Sequence, residues 1–120
     1  MTPLRVMIVE DDAMVAMALA EILEEMGHDV CSIAVSETEA VAEALRLKPK
    51  LIIADLRLRH GSGVAVIDRT CRICPTAHIF ISGDVAGIQA FRPNAVTLQK
   101  PFREPDLIRA IDTALSAVAH

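Results

Sequence analysis

Aromatic residues are nearly missing from this chain of 120 residues: three Phe, no Trp and no Tyr. Any core must therefore be built from aliphatic side chains. No apolar run approaches the roughly 18 residues of a membrane span. The first charged cluster, at Glu10, comes too early for a signal peptide, so a cytoplasmic protein is expected. An excess of positive charge is also lacking. Lys and Arg number 12 against 16 Asp and Glu, a formal net charge of -4, and an acidic surface repels phosphate backbones. Direct nucleic-acid binding is not expected. Cysteines are few and odd in number (Cys31, Cys71, Cys74), which argues against a disulfide framework. Cys71 and Cys74 form a C-x-x-C pair, but late in an expected helix and just before Pro75, whereas redox pairs open a helix after a strand. Zinc would need two further ligands. They read as packing thiols. Repeats, low-complexity stretches and linkers are absent too, so residues 1–120 are expected to be one domain with no output domain.

What is present is aliphatic material, 52% hydrophobic residues, in short runs that end on polar residues. Val6-Met7-Ile8-Val9 runs into Glu10-Asp11-Asp12. Leu51-Ile52-Ile53-Ala54 runs into Asp55, His78-Ile79-Phe80-Ile81 into Ser82-Gly83, and Val96-Thr97-Leu98-Gln99 into Lys100-Pro101-Phe102. Each run has the length and β-branched content of a buried strand. A fifth, weaker strand is expected from His28 to Ile33. Helical patterns lie between them: Ala13 to Met26, stopped by Gly27; Ser36 with Glu39 as a capping box opening a helix to about Lys48; Val64 to Ile73; a short, poor helix within Asp84 to Arg92; and Glu104 to Val118, with Pro105 in its first turn. Strand and helix alternate, which implies βαβ units and a parallel sheet.

In such a sheet, ligands bind outside the carboxyl ends of the strands. Glu10, Asp11 and Asp55 would then lie close together. At about 4 Å and an effective dielectric near 20, each like-charge pair costs about 4 kcal/mol, so protons or a cation must offset it. Hard oxygen ligands suit Mg²⁺. Lys100 supplies a mobile positive charge and Ser82 a hydroxyl donor, and Gly83 permits close backbone approach. Phosphoryl transfer needs this kind of positioning and neutralisation, and a carboxylate can be its nucleophile. Asp55, alone at its strand end, is the candidate. On the first helix, Leu19, Ile22, Leu23 and Met26 form the core stripe, while Ala13, Met14, Met17 and Ala18 leave an apolar patch beside the acids, expected to be a docking surface.

With these motifs in place the chain resembles the receiver domain of bacterial response regulators over essentially its whole length. The matching residues are Val9-Glu10-Asp11-Asp12, Asp55 with Gly63 eight residues on, Ser82-Gly83 and Lys100-Pro101-Phe102. The resemblance implies an α/β, doubly wound, flavodoxin-like fold with a five-stranded parallel sheet in the order 2-1-3-4-5 and five helices, the fourth short. It implies that Asp55 accepts a phosphoryl group from a phosphohistidine on a sensor histidine kinase or phosphotransfer protein. Mg²⁺ would be held by Glu10, Asp11, Asp55 and the Arg57 carbonyl. Ser82 would be the switch hydroxyl and Lys100 the phosphate-binding lysine, with Gly83 beside them. Asp12 corresponds to a variable position, not a ligand.

The chain departs from that pattern in three ways. Thr97 stands where receivers usually carry Tyr or Phe, three residues before the lysine. The segment from Ser82 to Lys100 is about four residues short, as in a sub-group of stand-alone receivers. Arg59 stands where Pro is common. The first two departures alter the usual output surface. His60 reads as a solvated loop residue; His28, His78 and His120 show no ligand spacing; Phe91 and Phe102 read as packing residues. The expected output is protein contact rather than turnover. The competing readings are a receiver cut from a larger regulator or hybrid kinase, a phosphorylation-independent interaction module, and a phosphatase of the haloacid dehalogenase type. The last needs an Asp where Arg57 stands.

Overall fold

The computed structural model describes residues 2–118; Met1, Ala119 and the predicted non-ligand His120 lie outside the described residues. Five strands and five helices alternate along the chain. They are β1 (Arg5–Val9), α1 (Ala13–Glu25), β2 (Asp29–Ala34), α2 (Glu37–Leu47), β3 (Leu51–Asp55), α3 (Gly63–Ile73), β4 (Ala77–Ser82), α4 (Ala86–Phe91), β5 (Thr97–Gln99) and α5 (Glu104–Val118). The strands form one sheet in the order β2-β1-β3-β4-β5, and every pairing is parallel. The expected order is therefore the observed one.

The apolar runs are continuous because both sheet faces are covered, yet their side chains still alternate between faces. Val6, Ile8, Leu51, Ile53, Ile79 and Ile81 pack beneath α1 and α5, against Leu19, Leu23, Leu107 and Ile111. Met7, Val9, Ile52, Ala54 and Phe80 pack on the other face, against Ala40, Ala44, Val66 and Ile67 of α2 and α3. Phe80 is the largest fully buried side chain. Burying a side chain of this class contributes about 2 kcal/mol. The aliphatic core expected from the shortage of aromatics is thus present around one phenyl ring.

Local signals place the ends. Gly27, at φ 93°, follows the Met26 cap of α1. Ser36 Oγ accepts from the Glu39 N–H at 3.2 Å to open α2, and Lys48 ends it in a left-handed conformation. Ser62 caps α3 by accepting from the Ala65 N–H, so α3 starts one residue before the predicted Val64. α4 is shorter than the predicted Asp84–Arg92. Its N-cap is Val85, with no side-chain cap; just ahead of it Asp84 accepts from the Ala86 N–H, and the one buried helical residue is Ile88. Phe91, expected to pack, is 87% exposed at the end of this stub, because six residues give the helix too little length to turn its last side chain inward. Phe102 does pack against the core. No helix among the described residues is long and apolar enough to cross a membrane.

Candidate functional site

Parallel pairing brings the carboxyl ends of β1, β3 and β4 side by side, and the residues that leave those strands meet there. The Glu10 N–H still donates to the Ala34 carbonyl, so Glu10 is held by the sheet and is 1% exposed. Asp55 is the last residue of β3 and is 7% exposed. Its Oδ1 accepts from the Arg57 N–H at 2.9 Å. Behind it, Gly63 lies so close to the Asp55 carbonyl that any Cβ at position 63 would collide with it. Lys100 leaves β5 with its N–H donated to the Ser82 carbonyl, through a cis Lys100–Pro101 bond. Its ammonium reaches back over the sheet edge. Nζ donates to Glu10 Oε1 at 2.9 Å and to Asp55 Oδ2 at 2.7 Å.

One cation therefore bridges two buried carboxylates, which supplies much of the charge balance the acidic cluster demands. Burial raises the Glu10 pKa above its ordinary value; the Lys100 hydrogen bond opposes that shift and the neighbouring Asp55 adds to it. Burial disfavours the Lys100 charge, but its bonds to Asp55 and Glu10 outweigh that cost, so its pKa is raised. Both directions fit a tightly coupled triad around Lys100.

Asp11 is placed differently. Its Oδ2 accepts from the Arg59 backbone N–H at 2.6 Å, on the loop after β3. Asp12 caps α1, accepting from the N–H groups of Met14 and Val15 at 3.0 and 3.3 Å. Glu10, Asp55 and Lys100 are thus in direct contact, whereas Asp11 is tied to the neighbouring loop. Among the described residues no group of three or more His, Cys, Asp or Glu side chains is arranged to hold a metal ion. The donor chemistry nevertheless fits Mg²⁺: two buried or half-buried carboxylates, a third beside them and a loop carbonyl are all hard oxygens.

A cleft of about 290 Å³ opens beside this triad, lined by Asp55, Arg57, Ser82, Gly83, Asp84 and Lys100. Ser82 Oγ accepts from the Asp84 N–H at 3.1 Å, which leaves the hydroxyl proton free to donate. Nothing lies within 4 Å of a Cβ built on Gly83, so this wall of the cleft is open. A larger groove of about 640 Å³ between β5 and α5 meets the cleft only at Lys100. Beside it, Thr97 Oγ1 accepts from Gln89 of α4 at 3.1 Å, where an aromatic ring was the usual expectation.

The apolar patch on α1 is exposed, with Met14 83% and Met17 68% accessible, over a groove continuing to Glu21 and Glu24. Two of the histidines have structural partners: His28 Nδ1 accepts from the Leu4 N–H, and His78 lies edge-on to Phe80 with its Nδ1 2.9 Å from the Thr76 carbonyl. Burial raises the thiol pKa of Cys31 and Cys71, consistent with inert packing, whereas Cys74, also expected to pack, is exposed at the end of α3. Sequence reasoning missed Asp84, whose adjacency to Ser82-Gly83 was a usable signal. It also missed the Arg59 amide, for which the sequence carries no signal.

The chain matches the model of the response regulator receiver domain over residues 6–112. It is 36% identical over 124 residues to the transcriptional regulatory protein PdtaR of Mycobacterium tuberculosis, covering 95% of this chain and 58% of PdtaR. The chemotaxis protein CheY of Thermotoga maritima is 28% identical over 113 residues, covering 90% of this chain and 94% of CheY. Among solved structures, the signal receiver domain of a modulated diguanylate cyclase from Desulfovibrio desulfuricans superposes with a TM-score of 0.85 at 34% identity, covering 97% of this chain and 96% of that one.

Proposed function

Because the chain belongs to the response regulator receiver domain family, we propose that it is a phosphoacceptor switch of two-component signalling. Asp55 takes a phosphoryl group from a phosphohistidine on a sensor histidine kinase or histidine phosphotransfer protein. The observation that carries this reading is the Lys100 ammonium, 2.9 Å from Glu10 and 2.7 Å from Asp55, beside a cleft that also presents the Ser82 hydroxyl.

In the proposed step a carboxylate oxygen of Asp55 attacks phosphorus and the P–N bond to histidine breaks. The imidazole leaves with the electron pair and takes up a proton. Lys100 exchanges a carboxylate partner for a phosphoryl oxygen, and the free Ser82 proton donates to another. The open wall at Gly83 admits the group. A Mg²⁺ ion held by Glu10, Asp11, Asp55 and the Arg57 carbonyl would neutralise phosphoryl charge when bound. The phosphodonor docks near Ala13, Met14, Met17 and Ala18, next to the acidic edge. Output passes by protein contact in the cytoplasm, and the chain acts on no substrate beyond its own phosphorylation and dephosphorylation.

The test is intact-mass analysis after incubation with Mg²⁺ and a small acyl phosphate. One added phosphoryl group is expected in the wild type and none in Asp55→Asn. A modified Asp55→Asn protein would reject Asp55 as the acceptor. An unmodified wild type that also shows no cation-dependent response to beryllium fluoride would favour a pocket used only for binding.

A further inference from the structure

We propose that the backbone N–H of Arg59 is an internal competitor for the Asp11 carboxylate and sets how tightly the acidic edge takes a divalent cation. The inference deepens the function proposed above and rests on it, since it requires Asp11 to be a cation ligand.

The Arg59 N–H meets Asp11 Oδ2 at 2.6 Å, across 48 residues of chain. That is shorter than the neighbouring Arg57 bond to Asp55, at 2.9 Å, and at the short end for a charge-assisted contact. The donor is held in place independently of Asp11. Arg57 and Ser62 close the base of the loop with an antiparallel bridge. The far arm is fastened to the start of α2. The Ser62 N–H donates to Glu37 Oε1 at 3.3 Å, the Glu37 N–H donates to the His60 carbonyl at 3.0 Å, and Arg69 donates to Glu37 Oε2 at 3.0 Å. Gly61, at φ 104°, lies directly against the Glu37 side chain, where a side chain of its own would not fit.

Arg59 therefore sits in a loop tied at its base and on its far side, with its N–H presented to Asp11. Held this way, Asp11 does not join Glu10 and Asp55 in a three-carboxylate cluster. Lys100 already pairs with the other two acids. A cation that recruits Asp11 through Oδ2, or that needs the carboxylate turned toward Glu10 and Asp55, must draw it from a donor that the fold keeps in position. Only the main chain of residue 59 makes this bond, so side-chain replacements preserve it. Proline, which has no N–H, abolishes it.

The experiment is a Mg²⁺ titration of the full chain by calorimetry for wild type, Arg59→Ala and Arg59→Pro. Alongside it, exchange of the Arg59 amide is followed by NMR in wild type, with and without Mg²⁺, and in Asp11→Ala. Arg59→Ala is expected to bind as wild type does, and Arg59→Pro about tenfold tighter, the lower end for a hydrogen bond to a charged group. The Arg59 amide is expected to lose protection both in Asp11→Ala and on saturating wild type with Mg²⁺. Equal affinities for the Ala and Pro variants would overturn the competition alone. So would weaker binding by Arg59→Pro, which would make the bond a device that presents Asp11 to the cation. The exchange arm needs no proline variant, and an Arg59 amide indifferent to both Asp11→Ala and Mg²⁺ would equally overturn the proposal. A wild type that binds no Mg²⁺ at millimolar concentration would instead overturn the cation reading, and the competition with it.

Discussion

Glu10 is 1% exposed and accepts from the Lys100 ammonium, whereas Asp11, the next residue, is half-buried and accepts from a backbone N–H on another loop. The same division runs through the rest of the site. On the packed side, Asp55 rests against Gly63 and is paired with Lys100. On the open side, Arg57, Gly83 and Asp84 are exposed around the cleft. The packed side fixes where charge sits; the open side is where charge can be exchanged. Charge placed in low dielectric needs a permanent partner, while half-exposed charge can change partners at small cost.

The largest effect that would break this comparison is loss of the bridging cation. Lys100→Ala leaves Glu10 and Asp55 facing each other without a counter-charge. A stability loss of about 3 kcal/mol is expected, at the low end because the Lys100 side chain is 27% exposed. Adding Asp55→Asn should recover part of it, since the repulsion goes with the charge. Denaturant midpoints measure both, and a Lys100→Ala protein as stable as wild type would mean the packed side is balanced by something else.

Glycines on the two sides sharpen the contrast. Gly63→Ala drives a Cβ into the Asp55 carbonyl and is expected to cost about 2 kcal/mol, as overpacking does. Gly83→Ala meets nothing within 4 Å and is expected to change stability by less than about 0.5 kcal/mol. Equal losses, measured the same way, would erase the distinction.

The smallest effect is a slope with pH. Burial holds the Glu10 pKa above its ordinary 4.5. Between 4.5 and that raised value the native state binds more protons than the unfolded chain. Stability from this group is therefore full below 4.5 and is lost as pH rises through the folded value. The Lys100 shift runs the same way at the other end of the scale: its contribution is present below 10.5 and disappears as pH rises past its own raised pKa. Midpoints of wild type relative to Glu10→Gln across the acid window should fall with rising pH; a difference that rises instead would mean that the Lys100 bond outweighs burial at Glu10.

The fold was legible in the sequence because β1, β3 and β4 are buried on both faces, and unbroken runs such as Leu51–Ala54 have few other uses. Glu10, Asp55, Ser82 and Lys100 were legible because strand ends converge in a parallel sheet. The expectation that three carboxylates would crowd together was not what the fold does. Lys100 spans two of them, and Asp11 turns to Arg59, a contact fixed by Gly61 and Glu37 far along the chain. Phe91 failed as a packing residue because helix length, not hydrophobicity, decided its fate. Gly63 was visible as a motif residue, but its physical reason, contact with the Asp55 carbonyl, is a tertiary fact.

The most direct measurement is chemical location of the acceptor. The chain is phosphorylated with Mg²⁺ and a small acyl phosphate, reduced with borohydride, and mapped by peptide mass spectrometry. Hydride reduces an aspartyl phosphate to homoserine with release of phosphate. Homoserine at position 55 alone is the expected result. Homoserine at position 11 or 12, or a phosphoryl adduct that survives reduction with Asp55 intact, would contradict it.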